Sequence, residues 1–226
     1  MYKRDIYTIG ENTKIAKDVY YMTLFGDTSF ITAPGQFINI ELEGFYLRRP
    51  ISICDWDKEK IDIIYKVVGA GTEKMAQLKA GEKLDVLTGL GNGYDLEKSG
   101  NAPLLLGGGV GVPPMYMLCK KLVAEEKTPT VILGFNTAEE VFYFNEFRAL
   151  GVDVFCSTAD GSMGVKGFVT TAIDELKIDF GYFFSCGPLP MLKALYDHTA
   201  CEGQLSFEER MGCGFGACMG CSCKTK

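Results

Sequence analysis

Residues 104–114 constrain the fold of this chain more than any other part of the sequence. Three leucines predict a short, buried strand, and a pair of prolines predicts the first turn of a helix, where a missing N–H costs no hydrogen bond. Between them lie Gly107, Gly108, Gly109 and Gly111. Such glycines let a backbone approach a pyrophosphate, and a helix N-terminus adds free N–H donors and a positive dipole end. The turn is therefore a candidate phosphate site, although a tight strand-to-helix connection explains the same residues.

Strands and helices alternate after this turn. The predicted strands are residues 131–135, 152–157 and 182–186, and the predicted helices are residues 113–126, 139–150, 170–176 and 188–199. This alternation predicts a doubly wound parallel sheet. Ligands bind beyond the carboxyl ends of the strands in such sheets, so Cys186, Gly187 and Pro188 form a second candidate site. A buried structural thiol is the alternative interpretation of Cys186.

The first hundred residues have the pattern of an antiparallel β barrel. Short β-branched and aromatic runs are separated by Gly, Pro, Asp and Asn, and they lie at residues 2–10, 19–26, 36–41, 51–55, 60–68 and 83–87. One short helix interrupts them, with Thr72 predicted as its N-cap and Gly81 as its stop. We expect a barrel domain in residues 1–100, an α/β domain in residues 101–203 and a cysteine-rich segment in residues 204–226.

Composition and charge narrow the classes of function. Of the 226 residues, 47% are hydrophobic and 23% are charged, which is typical of a globular protein and excludes wholesale disorder. The net charge of −6 argues against a nucleic-acid partner, because phosphate binding needs a basic face. We recognise no signal peptide and no membrane-spanning run, so we expect a reducing cytoplasm without disulfides. Five scattered cysteines are then expected to be small core residues: Cys54, Cys119, Cys156, Cys186 and Cys201.

Two features of the predicted barrel fit a dinucleotide. Arg49 precedes the motif Pro50-Ile51-Ser52; its guanidinium can hold a diphosphate, and the serine hydroxyl can reach a ring nitrogen. Downstream, Gly71 and Thr72 form a second phosphate-sized nest of N–H groups at a helix start. Solvated arginines at a strand edge are the alternative for the first motif, and they would be favoured if it stood alone.

The next strand-to-helix turn bears on the choice between NAD and NADP. Residues 135–140 contain Glu139 and Glu140 and no Arg or Lys, whereas the 2′-phosphate of NADP would need a cation. The acidic pair favours NAD, although two glutamates also favour a helix N-terminus without any ligand.

The other four cysteines lie within the last 14 residues. The spacing Cys213-x4-Cys218-x2-Cys221 is that of the plant-type ferredoxin run, whose fourth ligand lies further along the chain. Interleaved glycines let such a loop wrap closely and offer N–H groups to sulfur. A structural zinc site is the alternative, because one C-x2-C pair is enough to begin one. Cys223 is a poor fourth ligand, since a single intervening residue would strain the loop.

These motifs resemble a known family in order and over nearly the whole chain. Residues 49–52, 107–111, 186–188 and 208–214 are similar to the electron transfer subunits of class 1B dihydroorotate dehydrogenases, within the broader group of ferredoxin reductase-like flavoproteins. The flavin and nicotinamide motifs are shared across that group. The cysteine tail narrows the resemblance to the electron transfer subunits and their close relatives.

The resemblance implies three cofactors and one partner. FAD would bind the barrel through Arg49, Pro50, Ile51, Ser52, Ile64, Tyr65, Lys66, Gly71 and Thr72. NAD would bind Gly107, Gly108, Gly109, Gly111, Cys186, Gly187 and Pro188, and a [2Fe–2S] cluster would bind Cys213, Cys218 and Cys221. The implied partner is a dihydroorotate dehydrogenase catalytic subunit with its own FMN, in a heterotetramer. Electrons would pass from dihydroorotate through the cluster and FAD to NAD+, in pyrimidine biosynthesis.

Other functions remain open from the residues alone. They are an electron transfer subunit of a hydrogenase or bifurcating complex, a stand-alone flavin or ferredoxin reductase, and a non-enzymatic interaction module with a zinc knot. The family's fourth cysteine lies well past the third, whereas this sequence stops at Lys226, so we expect an incomplete chain. His198, the single histidine, is interpreted as structural or solvated.

Overall fold

The first half of the chain forms a closed six-stranded antiparallel barrel in the computed structural model, which describes residues 2–208 and 211–221. The strands are β1 (Lys3–Ala16), β2 (Val19–Phe25), β3 (Phe37–Ile40), β4 (Arg49–Trp56), β5 (Lys60–Lys66) and β6 (Lys83–Leu90). They are hydrogen-bonded in the order β1-β2-β5-β4-β3-β6, and β6 pairs with β1 to close the barrel. The predicted barrel is confirmed.

Alternating side chains fill the barrel. Ile61 and Ile63 on β5 are fully buried in its core, as the two-residue period of a strand requires. β1 is longer than the predicted segment 2–10. A bulge between Ile9 and Glu11 lets one continuous strand pair first with β6 and then with β2.

Helix α1 (Ala70–Gln77) begins before the predicted cap. Gly69 is the N-cap, and Thr72 is the third residue of the helix, so the prediction of Thr72 as N-cap is wrong. The Thr72 hydroxyl accepts hydrogen bonds from the N–H groups of Val68 and Gly69 at 2.9 and 3.2 Å. It therefore stabilises the turn that leads into the helix from a position inside the first turn.

The second half of the chain forms a six-stranded parallel sheet with helices, as predicted. The elements are β7 (Leu104–Gly108), α2 (Val112–Ala124), β8 (Thr130–Phe135), α3 (Phe144–Ala149), β9 (Asp153–Thr158), β10 (Val165–Lys166), α4 (Val169–Leu176), β11 (Tyr182–Gly187), α5 (Leu189–His198) and β12 (Glu202–Phe207). The strand order is β10-β9-β8-β7-β11-β12. This order reverses between β7 and β11, so their carboxyl ends form the switch point where ligands bind in such sheets.

The segment 139–150, predicted as one helix, is divided. A 3-10 turn covers Ala138–Glu140, and α3 begins only at Phe144. Tyr143 between them has a left-handed φ of 63°, and its ring packs edge-on against Tyr116 with the centroids 5.0 Å apart. Aromatic packing against the neighbouring helix therefore overrides the helical pattern.

A shared hydrophobic cluster joins the barrel to the sheet. Cys54 and Ile64 of the barrel pack in one buried core with Cys119 of α2. At the edge of this core, Lys120 forms an ion pair with Asp55 at 2.5 Å. The two halves are thus held together along α2, which fixes the walls of the cleft between them.

The last strand, β12, belongs to the parallel sheet and pairs with β11. The predicted boundary between residues 203 and 204 therefore falls inside a strand. The strand begins at Glu202, ahead of its first apolar residue Leu205, because pairing with β11 extends it.

The scattered cysteines and the single histidine are structural. Four cysteines, Cys54, Cys119, Cys156 and Cys186, are buried and form no disulfide, and Cys201 is half-buried. The His198 Nε2 lies 3.0 Å from Asp174 Oδ1, where it joins α5 to α4.

Candidate functional site

A cleft of about 800 Å³ lies between the barrel and the parallel sheet. Its barrel wall contains eight of the nine residues predicted to bind FAD: Arg49, Pro50, Ile51, Ser52, Ile64, Tyr65, Lys66 and Thr72. Its sheet wall includes Val110 and Cys186, and Met211 and Cys221 of the cysteine segment also line it. The volume is typical of a site for an organic ligand of drug size or larger.

The ninth predicted residue, Gly71, lies against Arg49. A Cβ on Gly71 would lie 2.1 Å from Arg49 Nε, so only glycine lets the guanidinium pack against the start of α1. The guanidinium also lies 4.7 Å from the centroid of the Phe45 ring and donates to the Leu47 carbonyl oxygen at 2.5 Å. Within residues 2–208 and 211–221, no carboxylate forms an ion pair with it. Its charge is therefore available to an anionic ligand.

Arg48 differs from its neighbour in its partners. Its guanidinium donates to Asp85 at 2.7 Å and to Glu41, and its side chain is 17% exposed. Burial alone would raise the pKa of Asp85, but hydrogen bonds from Arg4 and Arg48 outweigh it and lower the pKa. Arg48 is therefore a structural ion-pair residue, and Arg49 is the arginine that lines the cleft.

The tyrosine of the predicted flavin stretch serves the barrel core. Tyr65 is 2% exposed, its ring stacks on Tyr20, and its hydroxyl donates to Asn12 at 2.8 Å. Burial raises its pKa. Because its ring is committed to the core, we expect the main chain of Tyr65 to contact a ligand in the cleft. Ile64 and Lys66 point to the opposite face of β5, as alternation requires.

A second cavity, of about 420 Å³, is lined by residues at the carboxyl ends of the sheet strands. Of the residues predicted to bind NAD, it contains Gly108, Gly109 and Pro188. Cys186 on β11 is in register with Gly107 on β7, so the two predicted nucleotide motifs lie side by side.

The glycine turn packs directly on the end of β11. A Cβ on Gly111 would lie 2.2 Å from the Cys186 carbonyl oxygen and 2.6 Å from the Gly187 nitrogen. Gly109 has a left-handed φ of 53°, which favours glycine. The start of α2 is thereby held against β11 at the switch point, and the predicted motif is explained by close backbone approach.

The Cys186 thiol combines both of its predicted interpretations. It is 3% exposed and yet belongs to the wall of the cleft. Burial raises its pKa to about 12, so the thiol is neutral near pH 7. It offers a small apolar contact rather than a nucleophile.

A buried hydroxyl in the second cavity was missed at the level of sequence. Ser157 on β9 is fully buried, lines the cavity, and its Oγ has no hydrogen-bond partner in the described part of the chain. An unsatisfied buried hydroxyl costs about 1–3 kcal/mol, which a polar ligand in the cavity would offset. Its position at the carboxyl end of a predicted strand is the signal by which it could have been found.

The two cavities share part of their walls. Lys66, Val110 and Glu208 line both, and only Lys66 was predicted from the sequence. The Lys66 ammonium forms an ion pair with Glu140 at 3.2 Å. Desolvation raises the pKa of Glu208. Ligands in the two cavities would therefore meet beside these residues.

The acidic pair is divided between two roles. Glu140 lines the second cavity and accepts a hydrogen bond from Asn136 Nδ2 at 2.9 Å. Burial alone would raise the pKa of Glu140, but hydrogen bonds from Asn136 and Lys66 lower it. Glu139 forms an exposed ion pair with Lys17 at 3.5 Å. Only Glu140 is placed to affect a nucleotide, and the preference for NAD remains a prediction.

The cysteine segment brings two of its sulfurs into one loop. The N–H of Cys218 donates to Cys213 Sγ at 3.5 Å. Backbone hydrogen bonds from Cys218 and Phe215 lower the pKa of Cys213 to about 6, which favours the thiolate that binds iron. Cβ atoms on Gly212 and Gly220 would lie 3.5 and 3.6 Å from Cys218 Sγ, so the glycines leave room around that sulfur.

The donor set fits an iron–sulfur cluster in its chemistry. It offers three thiols at the predicted spacing, and N–H groups already point at one of them. In the described residues, no three Cys, His, Asp or Glu side chains are gathered as a ready metal site. Cys223 lies outside the described residues. The assignment of Cys213, Cys218 and Cys221 as ligands therefore remains a prediction.

Curated relatives match nearly the whole chain. It is 46% identical over 232 residues to the dihydroorotate dehydrogenase B (NAD(+)) electron transfer subunit of Fusobacterium nucleatum, a match that covers 97% of this chain and 89% of that protein. It is 47% identical over 233 residues to the subunit of the same name from Bacillus pumilus, covering 99% and 90%. The chain belongs to the family of dihydroorotate dehydrogenase B electron transfer subunits. No family model matches the sequence.

Solved structures share the fold of this chain. An NADH-dependent reduced ferredoxin-NADP oxidoreductase, studied for flavin-based electron bifurcation, has a TM-score of 0.86 at 29% identity and covers 95% of this chain and 80% of its own. Phthalate dioxygenase reductase, which transfers electrons from pyridine nucleotides to [2Fe–2S], has a TM-score of 0.73 at 19% identity, covering 90% and 67%. The second likeness shows the fold alone.

Membership in the family confirms the expected class of function, an oxidoreductase subunit that transfers electrons to NAD+ in pyrimidine biosynthesis, with a catalytic partner subunit. The expected cofactors agree with what the names of these proteins print: NAD(+) for the curated relatives, flavin for the bifurcating oxidoreductase, and pyridine nucleotides and [2Fe–2S] for phthalate dioxygenase reductase. None of the helices within residues 2–208 and 211–221 has the length and apolar character needed to span a membrane.

Proposed function

We propose that this chain binds FAD in the cleft, NAD in the adjoining cavity and a [2Fe–2S] cluster on the cysteine segment. One observation carries the proposal. Lys66, Val110 and Glu208 line both cavities, and Cys221 lines the cleft, so the three candidate sites are contiguous.

The residues of the cleft fit FAD. Arg49 supplies a cation for the diphosphate. Thr72 lies in the first turn of α1 and lines the same wall, so the positive end of the α1 dipole faces the cleft there. Gly71 supports this role because it leaves the space that the guanidinium occupies. Ser52 would hydrogen-bond the ring system, and Ile64 would provide an apolar contact.

The residues of the second cavity fit NAD. Gly108 and Gly109 let the backbone approach a pyrophosphate at the start of α2, and Pro188 lines the same cavity beside Gly108. The unpartnered Ser157 hydroxyl supplies a polar contact that the folded chain does not itself satisfy. Glu140 would accept a hydrogen bond from a ribose hydroxyl and disfavour a 2′-phosphate.

The chain's contribution to electron transfer is placement. A flavin exchanges electron pairs with a nicotinamide and single electrons with an iron–sulfur centre, so its site belongs between the other two. Arg49 and the α1 terminus fix one end of the flavin nucleotide. The neutral, buried Cys186 thiol adds a small apolar contact to the wall of the cleft. No acid–base or nucleophilic group of the chain is required.

The proposal extends to the partner and the compartment. The partner is a dihydroorotate-oxidising subunit that carries FMN, and the two subunits form a heterotetramer. A reducing cytoplasm is supported by Cys54, Cys119 and Cys156, which are buried thiols without disulfides.

Reconstitution with the catalytic subunit of a dihydroorotate dehydrogenase B tests this function. Mixing the two purified subunits anaerobically with dihydroorotate and NAD+ should produce NADH, measured by its absorbance. Cys218→Ser should abolish this production while FAD stays bound, because one cluster ligand is lost. Cys201→Ser is the matched control, since Cys201 is half-buried and lies outside the segment.

Two results would contradict the proposal. One is the absence of NADH production by the wild-type pair. The other is an undiminished rate with Cys218→Ser. Activity with a different oxidising subunit alone would instead assign the chain to another complex.

A further inference from the structure

A buried asparagine lies beneath the cysteine segment. Asn39 on β3 is 1% exposed, and its side-chain Oδ1 has no hydrogen-bond partner among residues 2–208 and 211–221. Ile38 and Ile40 beside it are in the barrel core, so the Asn39 side chain lies on the outer face of the strand. A buried amide oxygen without a partner is destabilising, which points to a role that the described contacts do not fulfil.

The nearest glycine of the cysteine segment lies on this amide. A Cβ built on Gly214 would be 2.8 Å from Asn39 Nδ2. Gly214 directly follows the candidate ligand Cys213. The same Cβ would be 3.6 Å from Phe37, which lies on the same face of β3 and lines the cleft. β3 therefore connects the wall of the cleft with the beginning of the cysteine segment.

Other contacts hold both β3 and the cysteine segment in place where Asn39 meets Gly214. Phe215 stacks on Tyr2 with the ring centroids 4.9 Å apart, which fixes the segment to the start of β1. Arg48 donates to the Asn39 carbonyl oxygen at 3.3 Å, which fixes the strand beneath it. The Asn39 amide is thus a fixed polar group that packs against the stretch around Gly214 and Phe215.

We propose that Asn39 is a positioning residue for the iron–sulfur cluster. Its amide has two N–H donors and one acceptor oxygen, and it holds the stretch around Cys213 and Gly214 against the barrel when the thiolates bind the cluster. Hydrogen bonds from outside the ligand set orient such ligands and are worth 10- to 100-fold in metal affinity, roughly. This inference rests on the proposed iron–sulfur site.

Substitution of the amide tests the role. Asn39→Leu removes donors and acceptor at similar size, and Asn39→Asp replaces the donors by a second acceptor oxygen and adds a negative charge. Both variants should lose iron and sulfide about tenfold more readily under chelator challenge, and their reduced-state EPR signal should change shape. FAD content should stay at the wild-type level, because Asn39 does not line the cleft. Asn145→Leu, at an exposed position of α3, is the matched control.

Two glycines isolate the contact itself. Gly214 and Gly216 have similar left-handed φ values of 77° and 83°, but a Cβ on Gly216 would have no atom within 4 Å. Alanine at either position carries the same backbone strain, so an excess loss of cluster in Gly214→Ala measures the collision with Asn39. In an Asn39→Ala background the two glycine variants should become equal.

The inference is overturned if both Asn39 variants retain the cluster and show the EPR shape of the wild type. It is also overturned if Gly214→Ala and Gly216→Ala lose the cluster equally when Asn39 is present. If an Asn39 variant also loses FAD, the barrel is disturbed and the glycine pair decides. A wild-type protein without iron and sulfide would refute the proposed cluster site, and this inference with it.

Discussion

The clearest single test of the flavin site is the replacement of Arg49 by alanine. Arg49 packs against Gly71, lines the cleft and has no carboxylate partner in the part of the chain that the structure describes. A hydrogen bond to a charged group contributes about 1.5–3 kcal/mol, and each 1.4 kcal/mol is tenfold in affinity, roughly. Arg49→Ala should therefore weaken FAD binding by roughly 10- to 150-fold.

The assay is a titration of the flavin-free protein with FAD, followed by the quenching of flavin fluorescence. Arg48→Ala is the matched control because it removes the same side chain one residue away. Arg48 is committed to Asp85 and Glu41, so its loss should lower the melting temperature and leave FAD affinity within about twofold.

Gly71→Ala gives an independent route to the same result. The added Cβ would lie 2.1 Å from Arg49 Nε and would displace the guanidinium without removing its charge. FAD affinity should fall, although the net charge of the protein is unchanged. Wild-type affinity in Arg49→Ala, or equal losses in the Arg48 and Arg49 variants, would refute the reasoning.

Three further predictions concern the sheet and the barrel. Gly111→Ala places a Cβ 2.2 Å from the Cys186 carbonyl oxygen, so it should raise the NADH concentration needed for flavin reduction by up to about 100-fold. The measurement is the loss of flavin absorbance on titration with NADH, and FAD content should be unchanged. Ser157→Ala removes an unsatisfied buried hydroxyl, so it should raise the unfolding free energy by about 1 kcal/mol in denaturant titrations and weaken NADH binding. A hydrogen bond from Lys3 lowers the pKa of Asp27 to about 2. The ionised Asp27 carboxylate therefore stabilises the fold fully above its unfolded pKa of about 3.9, and this stabilisation is lost as the pH falls through about 2. Asp27→Asn should therefore show a smaller fall in melting temperature between about pH 4 and pH 2.

Motifs with local physical causes could be predicted from the sequence. The turn at Gly107–Gly111 and the end of β11 at Cys186 each have a local pattern, and the edge rule for parallel sheets predicts that they meet. Gly107 and Cys186 are indeed in register on neighbouring strands. Arg49 and Gly71 were each identified as phosphate candidates, but their direct contact depends on the closure of the barrel and has no local signal.

The misses arise from packing between distant segments. The helix predicted at 139–150 is divided because Tyr143 packs on Tyr116, a partner 27 residues away. Tyr65 remains a predicted flavin residue, but its ring lies in the barrel core, because strand alternation does not reveal which face a closed barrel buries. Asn39 and Ser157 look like ordinary polar strand residues, and only their burial without a partner distinguishes them.

The central claim is that one polypeptide places a flavin site between a nicotinamide site and an iron–sulfur site. The most direct measurement is the visible absorption spectrum of the purified protein before and after anaerobic addition of NADH, with flavin, iron, sulfide and zinc assayed on the same sample. The account predicts flavin and iron–sulfur absorption that NADH bleaches. A colourless protein that contains zinc and no flavin would contradict it.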